Sequence, residues 1–290
     1  MPSVLESIAV VAGGRWRRSA RRLAGVAARR ALRQAGLRPD DVDLLVDAGL
    51  YHDRLLGEPA LAALIQEDIG ANPEDPHPGG HGTFSFDVAN GACGMLTGLR
   101  VADGFLQAGS IDHALVVASD ADPGHGMAPA FPFAPVGAAL VCGRRAGTGG
   151  IAGFRFATGS PAGPTPTATV AFDGRCNRLT VTRPPGADAA AGALAGEVAS
   201  GLLAEHDLTP GDLDLVAANP LSAGFLGALA DRLGLPPDRV GRPRDGRPAH
   251  TAGLAVALQE AAPGLHLGGR TVLLVSGGAG PTAAAALVLP

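Results

Sequence analysis

The chain has 290 residues, with 23 basic and 27 acidic side chains, so its formal net charge is −4 at pH 7. Every basic residue other than histidine is arginine, and the lack of lysine excludes Schiff-base lysine enzymes and Walker-type phosphate loops. A mildly acidic chain with one Trp and one Tyr also lacks the basic, aromatic face that is typical of nucleic-acid-binding proteins.

Short apolar runs alternate with Ala- and Leu-rich helical patterns along the whole chain. The apolar runs predict strands at Ser7–Ala12, Asp43–Val46, Ser85–Val88, Ala114–Ser119, Ala138–Cys142, Ile151–Ala157, Arg178–Thr182, Asp214–Ala218, Thr271–Ser276 and Ala284–Leu289. The amphipathic patterns predict helices at Ser19–Ala35, Gly94–Ala108, Ala189–His206, Leu221–Leu233 and Gly253–Ala262. Apolar strands separated by helices indicate an α/β fold whose sheets are covered on both faces.

The composition of one stretch suggests how the chain is divided. Gly159–Thr169 is rich in Pro, Gly and Thr, which predicts a surface connection. We therefore expect an N-terminal half over residues 1–158, a linker over 159–170 and a C-terminal half over 171–290.

The two halves resemble each other, which predicts an internal duplication. Leu37–Val46 reads LRPDDVDLLV and Leu208–Ala217 reads LTPGDLDLVA, so each half enters a buried strand through the same Leu-x-Pro-x-Asp turn. A repeat this long favours two pseudo-symmetric α/β units over a solenoid, which needs several short repeats. The longer first half has extra residues within Tyr51–Gly82, where we expect an inserted loop and helix.

A second match between the halves relates a cysteine to a histidine. Cys93 lies 26 residues before Ser119 and His250 lies 26 residues before Ser276, and each serine ends a predicted strand. Halves packed about a pseudo-twofold axis would place Cys93 and His250 at equivalent helix starts that meet at the axis. A helix start favours a thiolate, and a cysteine beside a histidine is typical of acyl-enzyme chemistry. The simpler alternatives are a buried cysteine that acts as a small apolar residue and a solvated turn histidine.

Other features bear on location and metal binding. Three cysteines without a CxxC pair indicate a reducing compartment, and no stretch approaches the roughly 20 apolar residues of a membrane span, so we expect a cytoplasmic protein. His77 and His81 lie in a Gly/Pro loop without a third ligand at a fixed spacing, so we expect no metal site.

One long run from Phe86 to Asp120 reads FDVANGACGMLTGLRVADGFLQAGSIDHALVVASD. It resembles the nucleophile segment of beta-ketoacyl-ACP synthase III, a family of the thiolase superfamily. Weaker similarity continues through Val136–Gly143, Leu215–Val240 and Thr271–Val288, so the resemblance covers nearly all of the chain from about residue 30. It implies the thiolase fold, a duplicated five-layer α-β-α-β-α arrangement.

The resemblance also implies a set of site residues. Cys93 matches the acyl-accepting nucleophile. Asn219 stands where synthases III have the His of His-Gln-Ala-Asn, and His250 stands where they have the Asn of Asn-Thr-Ser and thiolases have His. A plain turn residue is the alternative for Asn219. The family's oxyanion hole would use the backbone N–H groups of Cys93 and of Gly278 or Ala279. The alternative for the turn that contains Gly278 and Ala279 is an ordinary Gly turn without a role in the site.

The activity that the resemblance implies is acyl transfer of the ketosynthase III type. Cys93 would take an acyl group from a thioester on coenzyme A or an acyl carrier protein, His250 would deprotonate the thiol or the second substrate, and Asn219 would orient a carbonyl. The acceptor would be a carbon, hydroxyl or amine in polyketide, fatty-acid or other specialised metabolism, and no bound cofactor is expected. We expect a homodimer that pairs through Ser85–Val88. The alternative is a non-catalytic partner that shapes the chain-length pocket of an active ketosynthase.

Overall fold

The computed structural model describes residues 1–14, 19–72, 82–147, 149–160, 165–242 and 246–290. His77 and His81 lie outside these ranges. Within them, the strands are β1 (Ser3–Ala12), β2 (Leu44–Asp47), β3 (Phe84–Asp87), β4 (His113–Asp120), β5 (Val136–Arg144), β6 (Gly150–Thr158), β7 (Thr167–Phe172), β8 (Asn177–Thr182), β9 (Leu215–Ala218), β10 (Val272–Gly278) and β11 (Thr282–Leu289). The helices are α1 (Ala20–Ala35), α2 (Leu61–Ile69), α3 (Gly94–Gln107), α4 (Ala187–Glu205), α5 (Ala223–Leu233), α6 (Pro237–Val240) and α7 (Gly253–Ala261).

Two mixed sheets form the body of the fold. The first has the strand order β1-β5-β4-β2-β3, and the second has the order β6-β11-β10-β9. In the first sheet, β5 pairs antiparallel with β1 and β4, and β4 pairs parallel with β2. In the second, β11 pairs antiparallel with β6 and β10, and β10 pairs parallel with β9. The four strands of the second sheet therefore repeat β1, β5, β4 and β2 in order and direction, while β3 has no counterpart, and the predicted duplication is confirmed.

Helices separate and cover the two sheets in five layers. Apolar side chains of α3 and α7 pack between the sheets in one shared core. Helices α1 and α2 cover the outer face of the first sheet, while α4 and α5 cover the outer face of the second. This is the predicted five-layer α-β-α-β-α arrangement, and the predicted α/β class is confirmed.

The repeated Leu-x-Pro-x-Asp sequence forms the same local structure twice. Pro39–Asp41 and Pro210–Asp212 are single 3-10 turns that lead into β2 and β9. In each turn the final aspartate accepts the backbone N–H of the residue before the proline, at 2.8 Å from Arg38 and at 2.8 Å from Thr209. The proline and the aspartate thus fix the turn locally, which is why the sequence alone predicts it.

The structure divides the chain differently from the composition. Strand β6, placed in the first half by the predicted boundary at residue 158, pairs with β11 in the second sheet. The predicted linker is also too long, because residues from Thr167 onward form β7, which pairs with β8 as an exposed hairpin. The Pro/Gly signal ends at Pro166, and the β-branched residues after it favour a strand.

The two helix starts at the centre of the fold are offset from the predicted alignment. Gly91–Cys93 and His250–Ala252 are 3-10 turns that lead directly into α3 and α7. Matching these turns aligns Cys93 with Ala252 and His250 with Gly91, so the predicted equivalence of Cys93 and His250 is wrong by two residues. The backbone supports this alignment, because φ is 48° at Gly91 and 46° at His250. Cys93 and His250 have equal spacings to Ser119 and Ser276, but α3 has 14 residues and α7 has 9. Equal spacing to the serines therefore does not mark equivalent positions in the two halves.

Strand β3 lies at the edge of the first sheet, where the predicted homodimer would pair. It pairs with β2 on one side, and the side chain of Phe84 is 60% exposed. An edge strand with an exposed aromatic residue is able to pair with another chain. The homodimer itself stays a prediction.

Two glycines of α3 predict opposite effects on stability. Gly104 is exposed, and nothing lies within 4 Å of the position of an added Cβ, so Gly104→Ala should raise the free energy of unfolding by about 0.5–1 kcal/mol. A Cβ on buried Gly98 would lie 2.8 Å from Cγ1 of Val116, so Gly98→Ala should lower it by about 1–3 kcal/mol. Urea unfolding of both variants checks these values, and a stabilised Gly98→Ala protein would contradict the packing of α3 on the first sheet.

Candidate active site

Cys93 lies at the amino end of α3, in the layer between the two sheets. Its side chain is fully buried, and Sγ lies 3.9 Å from Oγ1 of Thr282 at the start of β11. The hydroxyl of Thr97 donates to the carbonyl of Cys93 at 3.1 Å, and Nδ2 of Asn90 donates to that hydroxyl at 2.9 Å. These bonds fix the backbone on both sides of the sulfur.

The surroundings of Cys93 favour a thiol and not a thiolate. Burial raises the pKa of the Cys93 thiol to about 12, and the hydrogen bond with Thr282 offsets only part of this effect. The prediction that the helix start favours a thiolate is therefore wrong, because loss of hydration outweighs the helix dipole. Burial also raises the pKa of Cys142 in β5. A reaction at Cys93 near neutral pH consequently requires a base that removes its proton.

His250 lies in the turn that meets the Cys93 turn, and its surroundings are well defined. It begins the turn before α7 and is 9% exposed, so the alternative of a solvated turn histidine is wrong. Its ring stacks on Phe133 with the centroids 4.2 Å apart. Nδ1 lies 2.9 Å from Oδ2 of Asp120, and Nε2 lies 3.7 Å from the position that a Cβ on Gly91 would take. Nε2 therefore faces the turn that holds Cys93.

Asp120, the last residue of β4, organises the site and was not singled out from the sequence. Its Oδ2 accepts the backbone N–H and the hydroxyl of Thr251 at 3.0 and 2.6 Å. Its Oδ1 accepts the backbone N–H groups of Leu50 and Tyr51 at 3.0 and 2.8 Å. Burial opposes the charge, but His250 and these hydrogen bonds together outweigh it and lower the pKa of the Asp120 carboxyl to about 2. A carboxylate that ends a buried strand was the signal available in the sequence.

Asn219 makes a hydrogen bond to the backbone of His250. The asparagine is fully buried after β9, and its Nδ2 donates to the carbonyl oxygen of His250 at 2.8 Å. A Cβ on Gly253 would lie 2.1 Å from its Oδ1, so the amide is closely packed against the start of α7. The predicted role of orienting a substrate carbonyl does not fit this placement. Asn219 instead holds the backbone of His250, whose positive φ is uncommon for a residue other than glycine.

The predicted oxyanion donors are only partly available. The backbone N–H of Cys93 donates to the carbonyl of Asn90 at 3.0 Å within its own turn, which corrects its predicted role. Gly278 and Ala279 both line the cavity beside His250. A Cβ on Gly278 would lie 3.6 Å from the backbone N of Ala92, so this Gly-rich turn lies directly against the Cys93 turn.

A small cavity of about 70 Å³ opens beside His250. Its wall includes the rings of Tyr51 and Phe133, and the β7–β8 hairpin covers it with Thr167, Ala168 and Val181. Arg183 and Asp188 also line it as an ion pair, in which Nη2 of Arg183 lies 2.8 Å from each carboxylate oxygen. Sequence reasoning missed these residues because they come from segments far apart in the chain.

The described residues offer neither a cluster of metal ligands nor a membrane-spanning helix. No group of three His, Cys, Asp or Glu side chains among them could hold a metal ion. No helix in the described ranges has the length and apolar character needed to cross a membrane.

Comparison with known sequences relates the chain to one family of condensing enzymes. It is 31% identical over 277 residues to beta-ketoacyl-[acyl-carrier-protein] synthase III of Acidiphilium cryptum, covering 90% of this chain and 81% of that protein. It is 28% identical over 290 residues to the protein of the same name from Synechocystis sp., with the same coverage of each chain. No protein-family model matches the chain.

Solved structures agree on the fold. The priming beta-ketosynthase of the R1128 polyketide pathway matches with a TM-score of 0.82 at 21% identity, over 100% of this chain and 96% of that chain. OleA of Xanthomonas campestris, with bound lauric acid and lauroyl-CoA, also matches with a TM-score of 0.82 at 16% identity, over 100% and 99%. Because the sequence relation extends over nine-tenths of the chain and the fold agrees from end to end, the chain belongs to the beta-ketoacyl-[acyl-carrier-protein] synthase III family.

Proposed function

We propose that the chain is an acyltransferase of the ketosynthase III type and that Cys93 carries the acyl group. The donor is an acyl thioester of coenzyme A or of a carrier protein, and the acceptor is a carbon, hydroxyl or amine in fatty-acid, polyketide or related metabolism. The names of the sequence relatives, which place a beta-ketoacyl group on an acyl carrier protein, support a reaction between acyl thioesters.

One observation carries the proposal: the turn of Cys93 meets the turn of His250, with the imidazole fixed on Asp120. A thiol with a pKa near 12 is unreactive until a neighbouring group takes its proton. Nδ1 of His250 lies on the carboxylate, so Nε2 faces the cysteine turn and is the nitrogen that accepts the proton.

Acyl loading then follows from the residues present. The thiol proton of Cys93 passes to Nε2 of His250 while Sγ attacks the carbonyl carbon of the thioester. When the donor's C–S bond breaks, the departing thiolate takes that proton from Nε2 and leaves as a thiol, and the acyl group stays on Sγ. The backbone N–H of Gly278 or Ala279 stabilises the oxyanion, since the N–H of Cys93 is already bonded to Asn90.

Transfer to the acceptor reverses these steps. His250 takes the proton of the acceptor, the acceptor attacks the acyl carbon, and Sγ leaves with the proton that His250 returns. Asn219 and Asp120 take no part in bond making. They hold the backbone and the imidazole of His250 in place.

A non-catalytic partner subunit is the second candidate, and one observation favours it. Cys93 is fully buried and does not line the cavity beside His250. A cysteine in that position acts as a small apolar core residue if no acyl group ever reaches it.

Peptide mass spectrometry after incubation with a panel of acyl-CoA and acyl-pantetheine thioesters distinguishes the two candidates. We expect an acyl mass gain on the peptide that contains Cys93 and none on Cys142 or Cys176. Cys93→Ala should abolish the gain, while Cys176→Ala, at a partly exposed loop position, should keep it. No gain with any thioester, or a gain confined to Cys176, would exclude the acyltransferase and leave the partner subunit.

A further inference from the structure

The loop of residues 48–60 connects β2 to α2 and supplies part of the candidate site. The backbone N–H groups of Leu50 and Tyr51 in this loop donate to Oδ1 of Asp120 at 3.0 and 2.8 Å. The position of the loop therefore affects the carboxylate that holds His250. Two side chains that the proposed mechanism does not use lie at the start of the loop: Asp47, the last residue of β2, and His52.

Asp47 and His52 face each other in buried surroundings. The side chain of Asp47 is fully buried and that of His52 is 13% exposed, and Nε2 of His52 lies 3.7 Å from Oδ2 of Asp47. No hydrogen bond of normal geometry reaches Nε2 or either carboxyl oxygen from the described residues. A Cβ on Gly49 would lie 3.1 Å from Oδ2 and 3.2 Å from Nε2, so the loop backbone packs directly on the pair. Buried polar atoms in this arrangement are stabilised if they bond to each other.

The tautomer of His52 decides which side chain can donate. Nδ1 of His52 lies 3.3 Å from the carbonyl oxygen of Leu56. A carbonyl oxygen only accepts hydrogen bonds, so Nδ1 carries the proton and Nε2 of the neutral ring is an acceptor. A bond between Nε2 and Asp47 therefore needs a proton on the carboxyl group.

The neighbouring charges favour that proton. Asp87 ends β3 and Asp120 ends β4, the two strands that flank β2. The carboxylate of Asp87 accepts two backbone N–H groups at the start of α2, at 2.8 and 2.7 Å, and Asp120 is bonded to His250 and the loop. Burial and the charge of Asp87, with a smaller effect from Asp120, raise the pKa of the Asp47 carboxyl well above 3.8, and the nearby backbone of Gly49 offsets only part of this.

We propose that Asp47 is a carboxylic acid that donates its proton to Nε2 of His52, and that this bond positions the loop that holds Asp120. Asp47 and His52 are then positioning residues that act on His250 through Asp120. Loss of the proton at alkaline pH breaks the bond and leaves a third carboxylate between Asp87 and Asp120. The effect on acyl loading rests on the proposed function, whereas the protonation of Asp47 does not.

The stability of Asp47→Asn as a function of pH tests the protonation. Asp47 ionises near its ordinary pKa of 3.8 in the unfolded chain and keeps its proton in the folded chain. Because the folded pKa is the higher one, the wild type loses about tenfold in its folding equilibrium for each pH unit above about 4, until Asp47 ionises in the folded chain. Asp47→Asn lacks this loss, so its stability relative to the wild type should rise with pH in urea unfolding. Asp122→Asn, at an exposed position, is the control and should keep the wild-type pH dependence.

Infrared spectroscopy at neutral pH detects the proton directly. The wild type should show the C=O stretch of a protonated carboxyl group, and Asp47→Asn should lack it. Absence of this band from the wild type, or its persistence in Asp47→Asn, would overturn the assignment of the proton to Asp47. Equal pH dependence of stability in the two proteins would overturn it as well.

The positioning role is tested at His52. His52→Ala removes the acceptor and should slow acyl loading of Cys93 by about tenfold or more, mainly in kcat, because the loop acts on the base and not on the thioester. His52→Gln provides an amide oxygen that can accept from Asp47, so it should recover most of the rate. Asp47→Asn keeps a donor to Nε2, so its loading rate relative to the wild type should rise with pH. His266→Ala, at an exposed position, should load at the wild-type rate.

Amide hydrogen exchange separates this inference from the proposed function. His52→Ala should speed exchange at the N–H groups of Leu50 and Tyr51 by about tenfold, while His266→Ala should leave it unchanged. If no thioester loads any variant, the acyltransferase fails, and the exchange rates alone decide the role of His52. Unchanged exchange in folded His52→Ala, or wild-type loading by it, would overturn the positioning role.

Discussion

His250→Ala should slow the acyl loading of Cys93 by about a hundredfold or more. Burial holds the sulfur as a thiol, so the reaction depends on a positioned base, and general-base catalysis contributes on the order of 10²–10⁴. The imidazole is packed against Phe133 and faces a cavity, so its removal takes little volume from the main core between the sheets. The loading rate is measured from the time course of the mass gain on Cys93.

Two further variants isolate the effect of the base. His250→Asn retains a side chain that tolerates the positive φ at this position and can still donate to Asp120, but it provides no base. It should be as slow as His250→Ala. The exposed His266 serves as the control, and His266→Ala should load at the wild-type rate. Wild-type loading by His250→Asn would show that another group takes the proton.

Asp120→Asn should also reduce loading by about a hundredfold, with little change in KM for the thioester. The amide can present its N–H to Nδ1, which would reverse the tautomer and leave Nε2 protonated and unable to act as a base. Asp120 contacts no substrate space itself, since His250 lies between it and the cavity, so the loss should fall on kcat. Steady-state kinetics of Asp120→Asn, with Asp122→Asn at an exposed position as the control, check that kcat falls while KM changes little.

The same variant should change how stability depends on pH. The Asp120 carboxyl has its pKa lowered from 3.8 to about 2 in the folded chain. Because the folded pKa is the lower one, its stabilisation is complete above about pH 4 and is lost as the pH falls toward 2. That contribution is on the order of 2 kcal/mol and should be missing from Asp120→Asn in urea unfolding between pH 2 and 5. Equal losses of stability toward pH 2 in the wild type and in Asp120→Asn would contradict the buried contact between Asp120 and His250.

The architecture could be predicted from the sequence because it depends on local patterns. Every predicted strand and helix is present, with ends shifted by at most four residues. Strand and helix periodicity are properties of neighbouring residues, and turns such as Pro39–Asp41 are closed by side chains within them. The duplication follows for the same reason, since two similar local sequences fold in the same way.

The arrangement of the candidate site was decided by contacts between distant segments. Asp120 and His250 are 130 residues apart, and no local pattern shows that β4 ends beside the turn before α7. The identity of Cys93 and His250 as candidates came from sequence, but their two-residue offset depends on where each helix begins in three dimensions. The protonation of Cys93 likewise depends on its burial in the folded chain, which outweighs both the hydrogen bond with Thr282 and the local effect of the helix start. Local sequence therefore determined the layers and the candidate residues, while tertiary packing decided which groups meet, which are buried and which carry a charge.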